Sequence, residues 1–219
     1  MNNDERYSRQ KDIIPPERLA ACKATVVGVG AIGRQVAIQL VAIGIRWLKL
    51  VDFDLVEESN LASQGNLQDD LGLEKVHATA DICHQINHQL ELYAINDRFK
   101  RSMDVGNVIF CCIDKIETRK LIWDAVNQKV GFWIDGRMSA EVLRVITACD
   151  KHSRTYYPST LFSAGEAYAG PCTAKSTIYC ANIAAGIMIS QFTKYLRLLP
   201  VDPDIQVNLL TMEMNVGTC

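Results

Sequence analysis

Three glycines, Gly28, Gly30 and Gly33, are the first residues in the chain whose type and spacing point to chemistry. Between a strand and a helix, the first glycine allows a tight turn, the second lets the backbone approach a phosphate, and the third lets the helix pack on the strand. Backbone N–H groups at the helix start then face the anion. Asp52 ends the next predicted strand, where a carboxylate can bind ribose hydroxyls. The motif predicts a nucleotide site without choosing among NAD, FAD and ATP.

A second group of polar residues contains the kinds of side chain that bind a triphosphate and its metal. Cations offset phosphate charge, a carboxylate is a ligand for Mg²⁺, and an amide can orient an oxygen. The group consists of Arg9, Asp54, Asn60, Lys75, Asp114 and Arg119. Lys75 begins a predicted helix, where its charge opposes the helix dipole, so a local functional reason is favoured. A structural ion pair for Arg119 and a turn cap for Asp54 are the competing interpretations.

The order and spacing of these residues resemble the ubiquitin-activating-enzyme superfamily, which includes the ThiF, MoeB and HesA adenylyltransferases. The resemblance extends from Tyr7 to about Leu199. The matching segments are Tyr7-Ser8-Arg9-Gln10, the Gly28–Gly33 turn, Leu50-Val51-Asp52-Phe53-Asp54, Ser59-Asn60-Leu61, Gly72 with Lys75-Val76, and Asp114 with Arg119.

The resemblance implies a role for each of these residues. Asp52 would bind the ATP ribose, Asn60 and Lys75 the triphosphate, and Asp114 the Mg²⁺. Arg9 would reach into the active site of the neighbouring subunit, because these enzymes work as homodimers. The chain departs from the family at Ser63, where an arginine commonly stands three residues after the asparagine. A phosphate contact is therefore missing or supplied from elsewhere, with Lys115 and Arg119 as the candidates.

The activity implied by the resemblance is adenylation of the C-terminal glycine carboxylate of a small ubiquitin-like or sulfur-carrier protein. That carboxylate is ionised at neutral pH and needs no general base. It needs alignment with the α-phosphate, neutralisation of charge and escape of pyrophosphate. Arg9, Lys75 and a metal at Asp114 are the groups expected to catalyse this step.

Cys172 lies in a Pro-Cys-Thr sequence just before the last predicted helix. This sequence resembles the Cys-Thr motif that carries the thioester in ubiquitin-activating enzymes. A thiol near a helix N-terminus and a lysine favours the thiolate, which could attack the acyl-adenylate. A thiol without a role is the alternative interpretation. A thioester would imply a conjugating enzyme as a further partner.

The elements that must position these residues alternate between strand and helix. Strands are predicted at 24–28, 46–51, 90–95, 108–113, 132–134, 143–149 and 205–214, and helices at 32–43, 73–87, 117–128 and 177–199. The alternation predicts a Rossmann-like α/β fold, mostly a parallel sheet with helices on both faces. We expect one domain over 1–219, with an N-terminal arm and helix at 1–23. A long crossover loop is predicted at 150–172, before the last helix.

Composition limits the remaining alternatives. A net charge of −2 gives no basis for binding nucleic acid or an anionic membrane, and no apolar run reaches the length of about 20 residues that spans a bilayer. Eight cysteines without a C-x-x-C pair favour a cytoplasmic protein with mostly buried thiols. Three other functions stay open: an NAD-dependent oxidoreductase, which Lys75 and Asp114 disfavour, an inactive family member that serves as a binding partner, and an enzyme that adenylates a short peptide.

Two further regions are expected near the ligand. Arg137 follows the fifth predicted strand, where ligands gather in such folds, and it would contact the adenylate or the cargo tail. An ion pair that steadies the loop is the equal alternative for Arg137. The crossover loop and the last predicted strand are expected to hold the cargo.

Overall fold

A computed structural model describes residues 3–161 and 177–217 of the chain. The strands in these residues are β1 (Lys23–Val27), β2 (Trp47–Asp52), β3 (Glu91–Asn96), β4 (Val108–Cys111), β5 (Phe132–Ser139), β6 (Val142–Ala148), β7 (Asp204–Asn208) and β8 (Glu213–Gly217). The helices are α1 (Asn3–Arg6), α2 (Pro16–Ala20), α3 (Ala31–Ile43), α4 (Glu58–Gln64), α5 (Lys75–Ile86), α6 (Ile116–Val126), α7 (Lys151–Tyr156) and α8 (Ile178–Leu196). Two short 3₁₀ turns lie at Gln68–Asp70 and Tyr157–Thr160.

All eight strands form one sheet in the order β3-β2-β1-β4-β5-β6-β7-β8. The first five strands in this order are parallel, and β6, β7 and β8 continue the sheet in antiparallel pairing. The central strand β4 is apolar and buried along its whole length, because helices cover both faces of such a sheet. The predicted Rossmann-like, mostly parallel α/β fold is confirmed.

The two faces of the sheet carry separate cores. Helices α3, α5 and α8 cover one face, where Leu40, Phe110 and Phe192 belong to one buried cluster. On the other face α6 and the Tyr157–Thr160 turn contribute Trp123 and Tyr157, which pack against Trp133 of β5. In the sheet, β2 lies on one side of β1 and β4 lies on the other, so the direction of the strand order changes at β1. Loops that follow β1 and β4 therefore flank a crevice at the carboxyl ends of the strands.

The predicted loop at 150–172 is wrong in its first part. Residues 151–160 are helical, because the Asp150 carboxylate accepts a hydrogen bond from the backbone N–H of Ser153 and the serine hydroxyl accepts one from Asp150 N–H. This reciprocal cap starts a helix from a polar sequence that has no apolar periodicity. Residues 162–176 lie outside the described part of the chain.

The last predicted strand, 205–214, is wrong as one strand, because it forms a β7–β8 hairpin. Asn208 ends β7, and its side-chain oxygen accepts hydrogen bonds from the N–H groups of Leu210 and Thr211. Met212 adopts a φ of +56°, which completes the reversal. Every residue of β8 is exposed, including Met214 and Val216. The placement of cargo on this hairpin stays a prediction.

Candidate nucleotide site

The three glycines of the turn have different surroundings. Gly28 has a φ of +85°, and a Cβ atom on it would lie 2.7 Å from the Cys112 carbonyl oxygen. A Cβ atom on Gly33 would overlap the Gly28 carbonyl. At Gly30 such an atom would meet only the Gln64 side chain among the described residues, at 4.0 Å. Two glycines are therefore needed for packing, whereas Gly30 faces the open space that a phosphate would need to approach the backbone.

Asp52 connects the end of β2 to the Gly-rich turn. One carboxylate oxygen accepts the N–H of Val29 at 2.6 Å, and the other accepts the N–H of Asp54 at 2.9 Å. The carboxylate is thus fixed beside the turn, where the ribose of a bound nucleotide would lie. Ribose binding by Asp52 stays a prediction.

Lys75 and Asp54 form an ion pair with each other. Lys75 is the first residue of α5, and its Nζ lies 3.2 Å from an Asp54 carboxylate oxygen. The lysine side chain is 11% exposed and the aspartate side chain 51% exposed. The aspartate offsets the cost of a nearly buried ammonium at a helix start, where the dipole is unfavourable. One continuous series of hydrogen bonds therefore links Val29 to Asp52, Asp52 to Asp54, and Asp54 to Lys75.

Asn60 and Ser63 lie on α4, a helix that the sequence did not predict. The Asn60 side-chain oxygen accepts the N–H of Glu57 at 3.0 Å and so caps the start of the helix. The Ser63 hydroxyl donates to the Ser59 carbonyl one turn earlier, at 2.9 Å. Among the described residues, the amide nitrogen of Asn60 makes one long contact, 3.4 Å from the Ser59 hydroxyl. Triphosphate binding by Asn60 stays a prediction.

Asp114 is exposed in the loop between β4 and α6. It lies two residues after Cys112, whose N–H donates to Val27 of β1, so the loop borders the Gly-rich turn. Within the described ranges no three His, Cys, Asp or Glu side chains are grouped to hold a metal. A magnesium ion at Asp114 would thus take its other ligands from phosphate oxygens and water, as this metal commonly does.

Arg119 does not point into the crevice. Its side chain is 4% exposed and forms an ion pair with Asp135, which is fully buried on β5. It also donates to the carbonyls of Ile113 and Gly136. Arg119 thus forms the structural ion pair that was its competing interpretation. This geometry gives no support to the predicted phosphate contact. Arg119 instead fastens the Asp114 loop to β5.

Arg9 lies on the N-terminal arm at the far end of α3 from the Gly-rich turn. The ring of Tyr7 packs against Gly44, and the Gln10 amide donates to the Ile43 carbonyl at 2.8 Å. Helix α3 has 13 residues and so places this end about 20 Å from its start. Arg9 is exposed there. The homodimer and a role for Arg9 in a neighbouring subunit stay predictions.

The chain matches the model of the ThiF family from residue 7 to residue 216. The chain belongs to the ThiF family. Adenylyltransferase and sulfurtransferase MOCS3 of Mus musculus is 35% identical over 142 residues, which cover 57% of this chain and 30% of that protein. Ubiquitin-like modifier-activating enzyme 5 of Caenorhabditis elegans is 31% identical over 139 residues, which cover 56% of this chain and 33% of that protein. The match thus spans about a third of the length of these relatives.

Solved structures share the ThiF-family fold. A crystal structure of E. coli MccB with MccA-N7isoASN has a TM-score of 0.78 and 14% identity, covering 100% of this chain and 72% of that chain. A crystal structure of PaaA has a TM-score of 0.78 and 21% identity, covering 98% of this chain and 72% of that chain. At these identities the likeness establishes the fold alone.

The described thiols of this ThiF-family chain are poorly suited to be nucleophiles. Burial raises the pKa of Cys22 to about 11, of Cys83 to about 12 and of Cys149 to about 11. Burial also raises the pKa of Cys180, which lies in the first turn of α8. Cys172 lies outside the described residues.

Sequence reasoning missed two buried charges that support the site. Arg34 follows the third glycine and is 1% exposed; it donates to the Gly65 carbonyl at 3.2 Å and the Thr79 hydroxyl at 3.0 Å. Its guanidinium also lies 3.5 Å from the Asp70 carboxylate. Burial lowers the pKa of Arg34, and Asp70 opposes that change. Arg34 therefore holds α4, α5 and the segment between them onto α3. The available signal was that Arg34 is the one charged residue in the sequence of α3.

Asp135 is the second missed residue and the centre of a buried cluster in the middle of β5, where its pairing with β4 ends. Besides Arg119, it binds Arg137 at 2.8 and 3.0 Å and accepts the Tyr157 hydroxyl at 2.9 Å. Arg137 donates further to the Thr160 carbonyl at 2.8 Å. Arg137 thus adopts the ion pair that was its alternative interpretation. An aspartate that continues the apolar run Phe132-Trp133-Ile134 was the signal for the cluster.

Proposed function

We propose that this chain uses ATP to adenylate the C-terminal glycine carboxylate of a small ubiquitin-like or sulfur-carrier protein. The observation that carries the proposal is the bonded series from the Gly-rich turn through Asp52 and Asp54 to Lys75. This series fixes the Asp52 carboxylate next to the Gly-rich turn and joins it, through Asp54, to the ammonium of Lys75. Family membership and the adenylyltransferase named among the relatives support this reading over a dinucleotide oxidoreductase.

The proposed reaction needs positioning and charge rather than a base. The cargo carboxylate attacks the α-phosphorus of ATP, a carboxyl–phosphate bond forms, and the bond to the β-phosphate breaks to release pyrophosphate. Lys75 stabilises the charge on the phosphates. Asp114 would hold a magnesium ion, which neutralises triphosphate charge when it is bound. Arg9 of a second copy is proposed to add a further cation.

Pyrophosphate exchange tests the proposal. With a ubiquitin-fold protein that ends in glycine, we expect this chain to incorporate labelled pyrophosphate into ATP. The same protein with an amidated C-terminus is the control, because an amide cannot attack phosphorus. ATP binding without exchange for any such cargo would instead identify an inactive binding partner. Binding of NAD with no binding of ATP would identify the oxidoreductase alternative.

Alanine at Gly30 and at Gly33 is expected to separate binding from folding. Gly30 has a φ of −82° and a ψ of −148°, outside the main helical and extended regions, and an alanine methyl group there would fill the space proposed for phosphate. We expect Gly30→Ala to lose no more than about 2 kcal/mol of unfolding free energy and to bind ATP at least about tenfold more weakly. Gly33→Ala, which overlaps the turn, should lose about 3 kcal/mol or more. Urea unfolding and ATP titration measure both, and unchanged ATP affinity in Gly30→Ala would refute the assignment.

We also propose that Cys172 takes the activated carboxyl as a thioester. The thiolate attacks the acyl carbon of the adenylate, a carbon–sulfur bond forms, and AMP leaves with the electron pair of the broken carbon–oxygen bond. Support comes from the Pro-Cys-Thr sequence and from the raised pKa values of the described thiols. With ATP and cargo we expect a covalent adduct that reducing agent removes on a gel. Persistence of the adduct in Cys172→Ala would show that another residue forms it.

A further inference from the structure

Gln64 is the residue whose side chain borders the open space at Gly30. It is the last residue of α4, and its Nε2 lies 4.0 Å from the point where a Cβ atom on Gly30 would stand. Its other amide atom, Oε1, is buried and makes no hydrogen bond within residues 3–161 and 177–217. Gln64 therefore presents a carboxamide to the backbone position that a phosphate would approach.

The backbone on both sides of this carboxamide is fixed to the Gly-rich turn. The Gln64 carbonyl accepts the side-chain amide of Gln35 at 3.1 Å, and the Gly65 carbonyl accepts Arg34 Nε at 3.2 Å. Arg34 and Gln35 directly follow Gly33 on α3. The carbonyls of Gln64 and Gly65 are thereby occupied by donors from α3. The side chain of Gln64 is aimed at Gly30 from a fixed support.

The family commonly has an arginine where this chain has Ser63, and Lys115 and Arg119 were the other candidates for its phosphate contact. Lys115 is exposed directly before α6. Ser63 turns its hydroxyl back onto its own helix, and Arg119 is engaged by Asp135. We propose that the Gln64 carboxamide donates to a phosphate oxygen of ATP at Gly30 and supplies the contact that Ser63 does not make. The inference rests on the proposed function. An amide offers two N–H donors and orients an oxygen without adding charge.

Nucleotide titrations of Gln64→Met and Gln64→Glu test this role. Methionine keeps the length of the side chain but has no donor, and loss of a hydrogen bond to a charged group should weaken ATP binding by about tenfold or more. Glutamate adds a negative charge beside the phosphates and should weaken ATP binding further. Adenosine, which has no phosphate, should bind all forms within about twofold. Ser63→Ala, on the same turn of α4, is the matched control and should bind ATP like the original chain.

Stability separates a ligand contact from a structural role. Because Oε1 makes no hydrogen bond among the described residues, Gln64→Met should unfold at the same temperature as the original chain or higher. Equal weakening of ATP and adenosine, or unchanged ATP affinity in both Gln64 variants, would overturn the inference. If the original chain binds no ATP, the proposed function itself fails, and that result is seen before any variant is compared.

Discussion

Replacing Lys75 with alanine is expected to lower ATP–pyrophosphate exchange by about a hundredfold to a thousandfold, the usual cost of removing one charge-stabilising group. The loss should be large because Lys75 is nearly buried and Asp54 fixes its position. Alanine would also leave the Asp54 carboxylate unpaired and facing the phosphates. Exchange assays at saturating cargo measure the effect, with the exposed Lys129→Ala as the control. A loss of less than about threefold would show that Lys75 does not serve the reaction.

Mixing two inactive variants would show where Arg9 acts. If Arg9 serves the neighbouring subunit, a pair formed from Arg9→Ala and Lys75→Ala chains contains one intact site. Exchange should then reappear when the two variants are mixed. If Arg9 served its own site, each site in the mixed pair would lack a residue and no activity would return. The position of Arg9 at the far end of α3 favours the first outcome.

Asp135→Ala is expected to lower the free energy of unfolding by about 3–5 kcal/mol, because it leaves buried arginine charge without a counter-charge. Arg119 is 4% exposed and Arg137 12% exposed, and both depend on this carboxylate. Tyr157 would lose its acceptor as well. Arg119→Met should cost less, since Arg137 would still pair with Asp135.

Urea unfolding measures these losses, and a surface ion pair provides the control. Asp97 pairs with Lys100 and is 44% exposed, so Asp97→Ala should cost about 1 kcal/mol or less. Asp135→Ala should also slow pyrophosphate exchange, because Arg119 holds the loop that carries Asp114. A loss of stability no larger than that of Asp97→Ala would contradict the cluster as a structural centre.

The sequence determined the fold class and the part of the site around the Gly-rich turn, because these depend on local signals. Apolar runs and helical spacing are readable within one element, and parallel strands bring their carboxyl ends to one edge. Gly30, Asp52 and Lys75 each follow or begin such an element, and they do come together. By contrast, α4 has no buried residue, so no hydrophobic pattern announced it.

Only the tertiary structure decided the roles of the charged residues. Arg119 on a helix is equally able to bind phosphate or to form an ion pair, and nothing near it in sequence distinguishes these outcomes. The pairing of β4 with β5 brings Asp135 beside the Asp114 loop, and burial then makes the ion pair obligatory. The same reasoning applies to Gln64, whose neighbour Gly30 is far away in sequence and is reached only when α4 packs on α3. Sequence patterns thus predicted most of the helices and strands. Burial decided which charged side chains form ion pairs and which remain available to bind a ligand.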